Sequence, residues 1–392
     1  MTRVLWLSNA PWAASGYGQQ TGLFCHYLSK LGHEIAVLAN YGIRGTTLEV
    51  EGIRVYPAGM DRHGNDVVQA CADDWGADVI ISLYDAWPLN FASLAIHKTS
   101  WVAWAPVDHE EVPPGVAASL RRAQGVVSFS GHGVEALNKA GIQAEYIPHG
   151  INTGIFNPGD QAEARGRVGF PNDKFIVGMV AANNYSPSRK CIPEAIVSFA
   201  RLHDQYPNTM LYLHMLSSEA IEGVNVIGII NSLGLAGAVS ICDQFQYIQG
   251  HPAPYMADLY RSLDVLLNPS RGEGFGIPIV EAEACGTPVI ATDGTAMTEL
   301  VERTGWLVPG QPWWSGQGAW QVLPMVDRIV YSLIEAYQEK MSPVSWVSGT
   351  LWQDRRNRCV NSARRFDYET MVAPAWDEYL QRAPWLPVES KP

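Results

Sequence analysis

SRGEGFGIPIVEAEACGTPVI, residues 270–290, is the stretch that decides the fold. It follows a short apolar run at 265–267 and ends in a second run at 289–291. Gly272, Gly274 and Gly276 make a loop whose backbone can approach a ligand closely. Pro278 suits the first turn of a helix and Gly286 marks its end. Strand, glycine loop, helix and strand in that order form a β-α-β unit. Its loop presents free N–H groups at a helix N-terminus, a ready place for an anion. Two acids frame the loop. Glu273 lies within it, and Glu281 sits about one turn into the helix, so its carboxylate can point back toward the same anion. A carboxylate beside a phosphate is repelled unless it does another job, and accepting hydrogen bonds from sugar hydroxyls is such a job. Glu283 is two positions on, roughly 200° around the axis, and is expected to face elsewhere. The parts read together as a nucleotide-sugar pocket. The same residues also read, more plainly, as a glycine-rich strand–helix turn with two surface acids.

The alternation continues toward both ends of the chain. Strands are expected at 4–7, 35–38, 53–56, 79–83, 101–105, 126–129 and 146–147, with helical patterns between them. IPHGINTGIFNPGD, residues 147–160, breaks the rhythm and reads as a linker. Strands resume at 175–180, 211–214, 239–241, 265–267 and 289–291. The fold class is therefore α/β, with two Rossmann-like parallel-sheet domains. The expected domains are 1–155 and 156–365.

Composition limits the function classes. The chain has 392 residues, 47% apolar and 17% charged, against about 25% charged in typical globular domains. That excludes a disordered chain. Net charge is −12, and the first 155 residues hold nine Lys/Arg against fourteen Asp/Glu. This balance counts against nucleic acid as a partner, because phosphate contacts drive that affinity. The six cysteines, Cys25, Cys71, Cys191, Cys242, Cys285 and Cys359, are too widely spaced for a CxxC metal or redox pair. Reduced thiols in a cytoplasmic enzyme are the expectation. No run of 18 apolar residues suggests a membrane span, and peripheral membrane contact stays open. Trp306, Trp313, Trp314, Trp320, Trp346, Trp352, Trp376 and Trp385 crowd the C-terminal part, to be read as packing first and sugar stacking second.

Three further clusters carry chemistry. NNYSPSRK, residues 183–190, follows the strand at 175–180 and places Arg189 and Lys190 near the start of a helix, where cations suit a diphosphate. A solvated basic pair is the plainer reading. SGYGQQTG, residues 15–22, holds Gly16, Tyr17 and Gly18 and approaches a dinucleotide fingerprint. The next strand ends LANYG, residues 38–42, without the acid that a NAD site needs, so an oxidoreductase is disfavoured. WVAWAPVDHE, residues 101–110, ends a strand with Asp108 and His109, where a cleft-facing side chain would emerge. His149 reads as an interdomain loop residue and His132 as a residue near a helix cap.

EGFGIPIVEAEACGTPVI, residues 273–290, resembles the E-x7-E signature of retaining glycosyltransferases of the GT-B fold, family 4 (glycosyltransferase group 1). The resemblance runs over most of the chain in the expected order. It implies two domains facing across a cleft, with a C-terminal helix (about 366–392) crossing back onto the first. It implies that Glu273 contacts the donor sugar and that Glu281 holds the ribose. Amides of Gly274, Phe275, Gly276 and Ile277 would meet sugar and diphosphate. Lys190 matches the family's lysine. The family's arginine, some six residues earlier, is replaced by Asn184, and Arg189 is the candidate to supply its charge. The loop with Gly16, Tyr17 and Gly18 would face the donor diphosphate. Either Asp108 or His109 would contact the donor sugar. The implied activity is metal-independent, retaining hexosyl transfer with no cofactor, the leaving phosphate taking the acceptor proton. The donor would be a UDP-sugar or GDP-mannose and the acceptor a saccharide or lipid-linked hydroxyl. Hydroxymethylated DNA bases and a non-catalytic nucleotide-sugar binder are the alternatives.

Overall fold

The structure is a computed structural model and describes residues 1–93, 98–217, 222–342, 345–346 and 349–386. The chain divides into two compact units. The first takes Met1–Gly150, Ser315–Ala319 and Phe366–Pro392, and the second takes Ile151–Trp314 and Trp320–Arg365. Residues 387–392 of the expected C-terminal segment lie outside the described residues.

The first unit is built on an eight-stranded sheet: β1 (Arg3–Ser8), β2 (Glu34–Ala39), β3 (Leu48–Val50), β4 (Ile53–Pro57), β5 (Val79–Leu83), β6 (Trp101–Ala105), β7 (Gly125–Ser128) and β8 (Glu145–Tyr146). Its order is β3-β4-β2-β1-β5-β6-β7-β8, parallel except for β3 against β4. The central strands are apolar along their whole length because helices cover both faces; all of β5 and β6 is buried. The chain leaves β1 toward β2 and later returns to β5 on its other side. That reversal opens a crevice at the carboxyl ends of the strands.

The C-terminal segment belongs to this unit for a packing reason. Trp376, on the helix Ala373–Arg382, is fully buried and meets Trp104 at 5.1 Å and Phe24 at 5.5 Å between ring centroids. Gly150 must be glycine there, since a β-carbon would lie 2.7 Å from the Tyr368 ring. Gln20 fixes the same residue with hydrogen bonds of 2.7 and 3.1 Å to its carbonyl and from its N–H.

The second unit has a six-stranded parallel sheet: β9 (Phe175–Val180), β10 (Thr209–His214), β11 (Val239–Ile241), β12 (Val265–Asn268), β13 (Val289–Thr292) and β14 (Trp306–Val308). The order is β11-β10-β9-β12-β13-β14. Asp264, wholly buried before β12, accepts from Arg165 at 2.8 Å and from the Ile176 amide at 2.6 Å and pairs with Lys340. A hairpin, β15 (Gly310–Trp314) and β16 (Trp320–Pro324), follows β14.

Every expected strand is present, with β7 and β8 lying one residue earlier than read. β3, β14 and the hairpin have no counterpart in the sequence reading. β3 and β14 span only three residues each, too short to show a period. The hairpin strands read GQPWW and WQVLP, where glycine, proline and glutamine leave no run of β-branched residues.

Trp376→Ala should destabilise the first unit by about 3–5 kcal/mol, read as a lowered midpoint in urea unfolding. A loss below about 1 kcal/mol would show that the C-terminal helix is not part of that core.

Candidate functional site

The site in the second unit is assembled where β12 gives way to the glycine loop. Gly276 has φ +110°, and a β-carbon there would lie 2.9 Å from Ile279 Cδ1, so only glycine fits. It stands before the helix Ile277–Ala284, which has Pro278 in its first turn and no side-chain cap. An uncapped helix start keeps N–H groups available for an anion.

Glu273 is the centre of the arrangement and is only 7% exposed. Its carboxylate accepts from Lys190 Nζ and pairs with Arg189 Nη1 at 3.3 Å. Arg189 also donates to the Gly272 carbonyl, and the Arg271 amide donates to the Arg189 carbonyl at 2.9 Å. The Glu273 amide donates to Thr295 Oγ1 at 3.0 Å. Thr295 has φ +52°, a conformation that costs a non-glycine residue strain. It lies after β13, at the start of the helix Ala296–Val301. Burial alone would raise the Glu273 carboxyl, but the Lys190 and Arg189 charges outweigh it and bring it down to about 2. The acid is therefore ionised at every working pH.

The flanking residues divide into two groups. Glu281 is buried and accepts from Tyr260 OH at 2.8 Å, reached from the helix Ala253–Ser262. Burial and the Glu281 charge raise Tyr260 well above the usual phenol range, so it stays a donor. Glu283 faces elsewhere, as the helical angle requires, and is fully buried. It accepts from Thr304 Oγ1, and burial raises its carboxyl to about 8. Asn184 is exposed, and its neighbour Asn183 serves the fold. The Asn183 amide donates to Leu216 O and Val224 O, both at 2.9 Å, and accepts from Val224 N at 2.8 Å. Gly274 and Phe275 are buried within the loop, and Ile277 is half-buried at the helix start.

The remaining candidates lie in the first unit. Ser15 caps the helix Gly16–Lys30, its Oγ accepting from Gly18 N at 3.0 Å. A β-carbon on Gly18 would lie 2.2 Å from Ala13 O. Both the smallness and the amide of Gly18 therefore serve its own loop rather than an approaching ligand. Tyr17 OH donates to Asp85 Oδ1 at 3.4 Å. His109 is 1% exposed, with Nδ1 2.7 Å from Asp108 Oδ1 and Nε2 2.8 Å from Ser315 Oγ. Asp108 is the more exposed of the two. His132 is at the start of the helix Gly131–Lys139, with Nε2 2.7 Å from the His109 carbonyl. His149 is buried against Phe129 and Trp104, which lowers it to about 3 and keeps it neutral.

Sequence reading missed Thr295, Tyr260 and Asn183. Nothing in a local pattern marks them, because each acts on a residue distant in the chain. Of the tryptophans, Trp352, Trp376 and Trp385 are packed, Trp306 lies under Arg355 and Trp313 under Arg271, while Trp314 and Trp320 are exposed. The Trp346 side chain lies outside what is described. Among the described residues no group of three His, Cys, Asp or Glu could hold a metal ion, and no helix is long and apolar enough to cross a membrane.

Residues 197–313 match the family model described as Glycosyl transferases group 1. A D-inositol 3-phosphate glycosyltransferase of Kribbella flavida is 31% identical over 171 residues, 43% of this chain and 39% of that protein. The corresponding protein of Acidothermus cellulolyticus is 25% identical over 250 residues, 62% of this chain and 54% of its own length. The chain thus spans about half the length of these relatives or less. Sucrose-phosphate synthase from Thermosynechococcus elongatus superposes with a TM-score of 0.77 at 18% identity, covering 97% of this chain and 99% of that one. Anabaena Alr3699/HepE in complex with UDP-glucose gives 0.70 at 19% identity, covering 96% and 99%. The fold is shared, and the resemblance read at 273–290 is borne out by the family model.

Two acids should titrate in opposite directions. Glu283, raised when folded, costs stability as pH rises from its unfolded value near 4.5 to about 8. Glu283→Gln should flatten that slope, gaining on the parent up to pH 8 in urea titrations. Glu273, depressed when folded, contributes stability above pH 4.5 that is lost as pH falls toward 2. The deficit of Glu273→Gln should therefore shrink below pH 4.5.

Proposed function

We propose that this chain, which is of the group 1 glycosyltransferase type and of GT-B fold, moves a hexose from a nucleoside diphosphate sugar to a hydroxyl of a saccharide or glycolipid. The observation that carries the reading is the ionised Glu273, held by Lys190 and Arg189 beside an uncapped helix start. On this reading the diphosphate takes the two cations and the amides of Gly274, Phe275, Gly276 and Ile277. These groups stabilise the negative charge that grows as the glycosidic bond breaks. Glu281, oriented by Tyr260, accepts from the ribose hydroxyls. Glu273 accepts from hydroxyls of the transferred sugar. The resemblance gives Asp108 or His109 a similar task, and the burial of His109 favours Asp108 for it, with His109 as its support.

We infer retention at the anomeric carbon. A carboxylate tied to two cations is a poor nucleophile, so Glu273 is not suited to form a glycosyl ester. Same-face transfer fits better, the leaving phosphate taking the acceptor proton, with no metal or cofactor required. Anabaena HepE was crystallised with UDP-glucose, which makes UDP-sugars the first donors to test and GDP-mannose the next. The first unit is assigned to the acceptor. A cytoplasmic location, with or without contact to a membrane surface, suits such a donor. A second reading, a non-catalytic nucleotide-sugar binder, is favoured by one observation: exposed Asn184 stands where the family carries an arginine.

A thermal-shift panel of UDP-, GDP- and ADP-sugars tests the donor. Ligand at 100 times its Kd should stabilise the protein by about 2.7 kcal/mol. One nucleotide family should raise Tm, and Lys190→Ala and Glu281→Ala should abolish the rise. No rise with any donor overturns the reading. A rise without nucleotide release in the presence of acceptors favours the non-catalytic one.

A further inference from the structure

The carboxyl edge of the first sheet carries a second collection of side chains. β2 hands over to Asn40, whose amide nitrogen and oxygen are both buried and meet no partner among the described residues. An unpaired buried amide is costly, so something from outside the fold is expected to satisfy it. The loop 61–65 lies against it: a β-carbon on Gly64 would be 3.2 Å from Asn40 Oδ1. In that loop His63 Nε2 accepts from Arg62 Nε at 3.1 Å. The imidazole proton is therefore on Nδ1, which is also buried and without a partner. Burial and the Arg62 charge lower His63 and keep it neutral.

Aromatic rings continue from this point. His63 is 5.7 Å from Tyr84 and 6.4 Å from Trp87 between centroids, and Tyr84 is 6.1 Å from Tyr17. Tyr17 in turn donates to Asp85. Trp87 is 53% exposed, although the loop that carries it is well fixed. Asn65 accepts from the amides of Asn90 and Phe91 at 2.8 and 3.1 Å and donates to Pro88 O at 3.0 Å. The two loops are thus tied together through Asn65.

Charge decides the kind of ligand. Asp61, Asp66, Asp85 and Asp108 lie in the loops of this edge against two cations, Arg44 and Arg62, the second turned onto His63. An acidic edge repels phosphate. Ring faces suit the C–H face of a sugar, while an amide, an imidazole N–H and a carboxylate suit its hydroxyls.

We propose that Asn40, His63, Tyr84, Asp85 and Trp87 form the acceptor pocket, and that it takes an uncharged polyol ring, a hexopyranose or cyclitol without phosphate. This rests on the assignment of the first unit to the acceptor. The test is saturation-transfer NMR on the full chain with methyl α-D-glucopyranoside, myo-inositol and myo-inositol 3-phosphate, each with and without UDP. At least one neutral probe should give signal and the phosphate should give less. Trp87→Ala and Asn40→Ala should abolish the neutral signal. Trp87 is exposed, so its variant folds even if the other does not. No neutral signal, a stronger phosphate signal, or signals indifferent to Trp87→Ala each overturn the proposal. Failure of the donor reading shows separately, as absence of nucleotide binding with the neutral signal intact.

Discussion

The ionised carboxylate of Glu273 is the constraint around which the second unit's working end is organised. A buried charge is tolerated only when it is paired and hydrogen-bonded. Here the pairing comes from Arg189 and Lys190 after β9, and the backbone support comes from Thr295 after β13. Three loops that the parallel sheet brings side by side are thus tied to one residue. The parallel order β9-β12-β13 makes this possible, because it sets their carboxyl ends at one edge.

The two carboxylates of the signature have different surroundings, and the difference suits different tasks. Glu273 is held between cations, which keep it ionised. Glu281 is held by a neutral phenol, which leaves its charge in place for hydroxyl donors. Glu283, two residues on, is a carboxyl in the core bonded to Thr304. Three acids on one eight-residue helix and its loop are thus an ion-paired acid, an oriented acceptor and a buried carboxyl raised to about 8. Burial and partners, not residue type, separate them.

The two sheets end in edges of opposite character. The second unit offers cations and a helix start, which suit phosphate. The first offers rings, an amide and carboxylates, with the histidines His63 and His149 kept neutral.

Much was legible in the chain itself. The β-α-β rhythm, the helix bounded by Pro278 and Gly286, and the placing of Glu273 and Glu281 all follow from local periodicity and from glycine and proline chemistry, which act within a few residues. The sequence could place Lys190 near the site but not show that it pairs with Glu273. That pairing, the Tyr260 support of Glu281 and the Thr295 support of Glu273 join residues far apart in the chain, and only the parallel order of the strands decides them. Gly18 makes the same point in reverse. The resemblance implied an amide free for phosphate, and the helix cap gives that amide to Ser15, three residues earlier. Asp108 and His109 were equal candidates in sequence, and the fold gives them different exposure, because exposure belongs to the packed chain and not to the residue.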